Sequence, residues 1–135
     1  MADAKRPPTG IERPLSPFMI GPYYRPQMTS MSSILIRITG LGLVAGIVLT
    51  VAWIFAAAVS EDWFACVNWL VTSWLGKLIY IGSAWAVWYH LLGGVRHFIF
   101  DAGKAMDIPT AEKLGWGMVV GSVVLTVITI IVAAA

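Results

Sequence analysis

Charged and strongly polar positions along this chain are bunched into short segments, and the stretches between them are almost unbroken apolar runs. Ile38 to Val59, Leu78 to Val95 and Leu114 to Ala135 contain no Asp, Glu, Lys or Arg. Each holds about 18 to 22 residues, enough for a helix rising 1.5 Å per residue to cross about 30 Å of hydrocarbon. Backbone polar groups in lipid must be satisfied within each segment, so the pattern predicts an all-α membrane protein with three transmembrane helices. Their expected limits are about residues 30–59, 68–98 and 110–134. The middle helix extends backwards from the second run to Val67 or Asn68 as one long element, with Lys77 facing a partner or snorkelling to the headgroups. The hydroxyls of "TSMSS" at 29–33 cap the first helix, and Pro109-Thr110 with Glu112-Lys113 opens the third. Six of the seven prolines fall before Met28, which makes residues 1–28 an extended arm and 29–135 the transmembrane domain. Tyr23 and Tyr24 suggest that the arm lies along a partner or the membrane interface.

Composition narrows the class. Hydrophobic residues make up 59% of the chain and charged residues 12%, a balance that a water-soluble domain of 135 residues could not bury. The first 15 residues are polar and proline-rich and do not read as a signal peptide. Lys5, Arg6, Arg13, Arg25 and Arg37 precede the first span, Arg96, Lys104 and Lys113 lie around the second connection, and the first connection carries only Glu61 and Asp62. That asymmetry puts the N-terminus and second loop inside, in the cytoplasm or a mitochondrial matrix. The net charge of +2 is this topology signal, and there is no nucleic-acid patch. A single cysteine, Cys66, leaves no disulfide framework, no CxxC metal pair and no CxxCH site for covalent haem. Gly42 with Gly46, and Gly117 with Gly121, repeat at the spacing that lets helices or a flat cofactor approach a backbone.

The polar residues inside the spans carry the chemistry. On a helix advancing about 100° per residue, His90, Gly94, His97 and Asp101 fall at about 0°, 40°, −20° and 20°, one stripe, while Arg96 points about 120° away near the interface. His90 lies inside the apolar run, where a titratable group is costly unless paired. It can hydrogen-bond a neighbouring helix, relay protons, or ligate a haem iron. A relay wants carboxylates within the membrane, and the three charge-free runs contain none. A haem wants a neutral imidazole, a flat apolar slot and cationic groups at the membrane edge; Gly93 and Gly94 lower the wall beside His90, and Trp85, Trp88, Tyr89 and Phe98 supply aromatic surroundings. His97, about 10.5 Å further along the same side, cannot grip the other face of the same haem, so a second histidine ligand would come from another chain. His97 fits the interface, reaching a propionate, pairing with Asp101 or capping the helix. Ser33 and Arg37, neighbours at i and i+4, can be a cap and a snorkelling arginine, or can hydrogen-bond a quinone carbonyl or a haem propionate.

"RPLSP" at 13–17, "SILIRITG" at 33–40 and "HLLGGVRHFIFD" at 90–101 together resemble the cytochrome b556 subunits of succinate dehydrogenase, the larger membrane anchors of respiratory complex II. The resemblance runs from Arg13 to about Asp101. It implies a non-catalytic chain that packs with a second three-helix anchor subunit as a bundle around haem b and holds the iron-sulfur and flavoprotein subunits to the membrane. FAD and the iron-sulfur clusters would belong to those partners, and electrons from succinate would reach ubiquinone where the iron-sulfur subunit meets the anchors. The first histidine of the family's H-x6-H motif is an axial haem ligand and maps onto His90, with the other ligand from the second anchor. The family's serine and arginine of the quinone site map onto Ser33 and Arg37. Relatives commonly carry histidine where this chain has Phe18 and Ile36, which leaves Arg37 and His97 to face a propionate, with Gly94 among the haem surroundings. The implied location is a bacterial cytoplasmic (inner) membrane, multi-pass, with a mitochondrial inner membrane as the alternative. An anchor of a quinol:fumarate reductase and a haem-free scaffold are the competing functions. A small transporter would show ionisable groups or broken helices mid-membrane, and only Lys77 and His90 come near that.

Overall fold

A computed structural model describes Phe18 and residues 24–135. The expected arm therefore lies largely outside the described residues. Four helices follow: α1 (Met28–Val59), α2 (Glu61–Thr72), α3 (Trp74–Asp101) and α4 (Ile108–Ala134). Three of them, α1, α3 and α4, are long and apolar enough to cross a membrane. At 12 residues α2 is too short to do so.

The middle element departs from the single long helix expected over 68–98. Ser73 adopts an extended backbone, φ −62° and ψ 163°, and closes α2 while opening α3. Its hydroxyl oxygen accepts from the Gly76 amide at 3.1 Å, an N-cap inside an apolar run. The chain turns so tightly here that a Cβ at Gly76 would run into the carbonyl oxygens of Leu70 and Val71. Hydropathy does not register such a break. Its consequence is that Lys77 sits, exposed, in the first turn of α3 rather than along a long span.

α3 is the central element, packed on α1 and α4, and α2 folds back beside the C-terminal half of α1. There Trp53 Nε1 donates to Asn68 Oδ1 at 3.2 Å, and Trp53 and Phe55 pack on Phe64 and Trp63. The buried positions are mostly small or polar: Ser32, Thr39 and Gly46 on α1, Ala86 and Gly93 on α3, Ala111, Ser122 and Thr126 on α4. Large apolar side chains point outward, with Leu41 75% and Val48 62% exposed. Lipid tails are as apolar as leucine, so these helices gain by close backbone approach and interhelical hydrogen bonds instead. Trp85 Nε1 donates to Ser122 Oγ at 3.0 Å and Trp88 Nε1 to Thr129 Oγ1 at 2.9 Å, both tying α3 to α4. Only one member of each glycine pair meets another helix: a Cβ at Gly46 would collide with Ser83 and one at Gly121 would lie 3.0 Å from Leu92, whereas Gly42 and Gly117 face open space.

Candidate functional site

Two polar places lie along α3, on different faces. The first surrounds His90. Its ring rests against α1: Nδ1 is 3.4 Å from Thr39 Oγ1, and a Cβ added to Gly40 would lie 3.4 Å from His90 Cε1. Beside it, between α1 and α3, runs an apolar groove of about 330 Å³ lined by Ile38, Thr39, Gly42, Gly82, Trp85 and Ala86, among others. Ala86 is one turn before His90 and Gly94 one turn after, and nothing lies within 4 Å of a Cβ at Gly42, Gly82 or Gly94. Small residues thus lie along α3 on either side of His90, with the groove toward Gly82 and Ala86 and an open position at Gly94. The expected aromatic surroundings divide: Trp85 lines the groove, Trp88 and Tyr89 turn to α4 and α1, and Phe98 is exposed.

The second place is a pocket of about 300 Å³ at the end of the bundle where α1 begins and α3 turns into α4. Thr29, Ser33, Arg96, His97, Phe100 and Met106 line it with two alanines. The helix register of α1 splits the two neighbouring serines. Ser32 is fully buried and Ser33 is exposed toward the pocket. His97 is exposed on the same pocket, and among the described residues it makes no ion pair with Asp101. Arg37, one turn after Ser33, is exposed on α1 and does not line this pocket.

Arg96 is buried despite its charge. It is only 6% exposed and lies among three helices at the end of the bundle. Its Nη1 donates to Ser32 Oγ at 2.9 Å, its Nη2 to the Ala111 carbonyl at 3.3 Å, and its guanidinium carbon stands 4.7 Å from the centroid of Phe100. Tyr89, fully buried, donates its hydroxyl to the Ser32 carbonyl at 3.3 Å. Nε of Arg96 is buried without a hydrogen-bond partner among the described residues. A signal for this cluster exists in the sequence: Tyr89, Gly93, Arg96 and Phe100 recur at the helical spacing of a buried face, away from the His90 stripe.

The α3–α4 turn closes the pocket. Gly103 and Ala105 take positive φ, 69° and 57°, and Ala105 forms part of the wall. Asp107 then caps α4, its carboxylate accepting from Thr110 Oγ1 at 2.6 Å and Thr110 N at 3.0 Å. Those bonds, the hydroxyl first, hold the Asp107 carboxyl below its ordinary range. No group of three or more His, Cys, Asp or Glu side chains gathers among the described residues. What the two places offer chemically is one imidazole on a flat apolar groove, and a cationic, hydroxyl-lined pocket at one end.

Residues 10–129 match the model of the succinate dehydrogenase/fumarate reductase transmembrane subunits. The chain is 49% identical over 132 residues to the succinate dehydrogenase cytochrome b556 subunit of Paracoccus denitrificans, covering 98% of this chain and 97% of that one. To the cytochrome b556 subunit of Rickettsia conorii it is 33% identical over 117 residues, 87% and 90% of the two chains. To the cytochrome b560 subunit of succinate dehydrogenase from Chondrus crispus it is 31% identical over 106 residues, 75% and 80%.

Proposed function

The chain belongs to the succinate dehydrogenase/fumarate reductase transmembrane subunit family, and from that premise we propose that it is the membrane-anchoring, haem b-binding subunit of a succinate:ubiquinone oxidoreductase. The names of its relatives favour succinate oxidation over fumarate reduction. In this reading the chain is non-catalytic by itself. It spans a bacterial inner membrane with its N-terminus inside, pairs with a second anchor subunit, and holds the iron-sulfur and flavoprotein subunits, which carry the iron-sulfur clusters and FAD.

The residues around His90 fit a haem. The imidazole stands beside an apolar groove, with open space at Gly42 and Gly82 where larger side chains would fill the slot, and Gly94 is open one turn beyond His90. His90 would hold the iron from this chain, the second anchor subunit would supply the other ligand, and Arg37 or His97 would face the propionates. When bound, haem b supplies a one-electron store.

At the end pocket Ser33 presents its hydroxyl to a quinone carbonyl, and Arg37, one turn on, contributes positive charge that favours negative charge on the quinone oxygens. Arg96 and Tyr89 hold Ser32, the residue next to Ser33, so the start of α1 is fixed while Ser33 faces the pocket. α1 carries no carboxylate, so protons for the quinol come from water or from partner subunits.

The observation that carries this reading is the position of His90 inside a span, against α1 and beside the apolar groove. Dithionite-reduced minus oxidised spectra of the complex, purified through a tag on this chain, test it. Wild type shows a b-type α band and His90→Leu loses it or shifts it. A wild-type complex with succinate-quinone activity and no band would make His90 a packing residue and the chain a haem-free anchor.

A further inference from the structure

Thr39 is used by none of the roles above, yet it makes the one side-chain hydrogen bond that reaches His90 among the described residues. We infer that Thr39 is a positioning residue for His90: its hydroxyl oxygen accepts from Nδ1–H, fixes that tautomer, and leaves Nε2 with the lone pair that an iron takes up. The inference rests on the proposed ligand role of His90.

The assignment follows from counting donors. Thr39 is 3% exposed on α1, and its Oγ1 lies 2.8 Å from the Leu35 carbonyl and 3.0 Å from that of Ile36. A hydroxyl has one proton, and here it goes to the carbonyls of its own helix. Toward a third neighbour it can only accept. An imidazole that keeps one lone pair for iron has one N–H, and against this hydroxyl it presents that N–H at Nδ1. The opposite tautomer would set the Nδ1 lone pair against the hydroxyl oxygen. Sterics support the same pose, because the absence of a side chain at Gly40 lets the ring lie against the α1 backbone.

A hydrogen bond on the distal nitrogen makes a metal-bound imidazole a better electron donor and stabilises the oxidised metal. The acceptor is neutral and 3.4 Å is long for such a bond, so Thr39 tunes the site and does not switch it. Serine at position 39 should serve as well as threonine, and valine, which has the same shape without the acceptor, should not.

The test uses the assembled complex with Thr39→Val, Thr39→Ser and His90→Leu. Haem content, the midpoint potential of haem b by optical redox titration, and its low-temperature EPR signal are measured beside quinone-reductase turnover. Thr39→Val is expected to shift the potential to more positive values and move the EPR signal, with Thr39→Ser returning both to wild type. A valine variant with wild-type potential and EPR overturns the inference and leaves the ligand reading standing. If the valine variant assembles poorly, the serine variant still decides, since a loss of haem or a shifted potential there overturns the role of the hydroxyl. A wild-type spectrum in His90→Leu overturns the ligand reading and the inference with it.

Discussion

His90 and Arg96 stand six residues apart on α3 and are held in opposite ways. Among the described residues His90 makes a single side-chain hydrogen bond, a long one to Thr39, with small-residue surface nearby. Arg96 has two acceptors and an aromatic ring, drawn from all three spanning helices. The difference follows from charge. A neutral imidazole in an apolar setting needs one partner, whereas a guanidinium there has to be matched on several sides. An imidazole with few partners beside an open groove suits the proposed binding role, whereas a cation bonded to two neighbouring helices ties them together, even with its Nε unpartnered among the described residues. Replacing each should therefore fail in different ways.

The largest effect is expected at Arg96. Arg96→Leu strips acceptors on α1 and α4 of their donor and should cost about 3 kcal/mol of stability. The measurement is thermal unfolding of the purified complex together with haem content and quinone KM, which should all worsen at once; a change in quinone KM alone would make Arg96 a ligand-facing residue and remove the contrast. Arg37→Leu or Ser33→Ala should do the reverse. Ser33→Ala leaves the haem band and the Tm in place, and Arg37→Leu leaves the Tm in place, while quinone-reductase activity in each falls about five- to tenfold, equivalent to about 1 kcal/mol for a lost hydrogen bond. Succinate oxidation with a soluble acceptor stays at the wild-type rate, and unchanged quinone turnover in Arg37→Leu would remove that residue from the site.

Adjacent glycines sharpen the comparison between the two faces. A Cβ at Gly93 would lie 2.8 Å from Ile36 Cδ1 and 3.2 Å from Met118 Cε, whereas one at Gly94 meets nothing. Gly93→Ala should cost about 1 kcal/mol by overpacking, read as a lower Tm with the haem spectrum unchanged. Gly94→Ala should keep the Tm and lower haem occupancy; the reverse pairing would exchange the packed and the binding faces.

The smallest effect lies at the turn that closes the end pocket. The Asp107 carboxyl is depressed by its bonds to Thr110, so its cap contributes fully above the ordinary carboxylate range and is lost as pH falls through the lowered value. Amide protection over residues 108–111, with exchange referred to the intrinsic rate at each pH, should fall in wild type as pH drops below the ordinary carboxylate range and change little with pH in Asp107→Asn. Protection that is equally pH-dependent in both proteins would show that Asp107 is not the group responsible.

The three spans and the all-helical architecture were legible because hydropathy is summed locally and lipid leaves few alternatives for a charge-free run. The resemblance to cytochrome b556 subunits was legible in short motifs, and the family match and the relatives agree with it. The break at Ser73 was not, since it depends on one serine cap and one glycine within a stretch that remains apolar throughout. The burial of Arg96 among three helices was legible only in its register, since Tyr89 and Gly93 recur with it on one face of α3.

By itself the sequence determined how many times the chain crosses a membrane and that an imidazole lies within one crossing. Both depend on the order of residues along the chain. Which of two neighbouring serines is buried, that Arg96 joins three helices, that Thr39 meets His90 and that Gly93 packs while Gly94 stays open were decided by the tertiary structure. Each depends on how one helix is rotated against another, and that rotation is set by contacts between residues as far apart as Ser32 and Arg96, which no local pattern encodes.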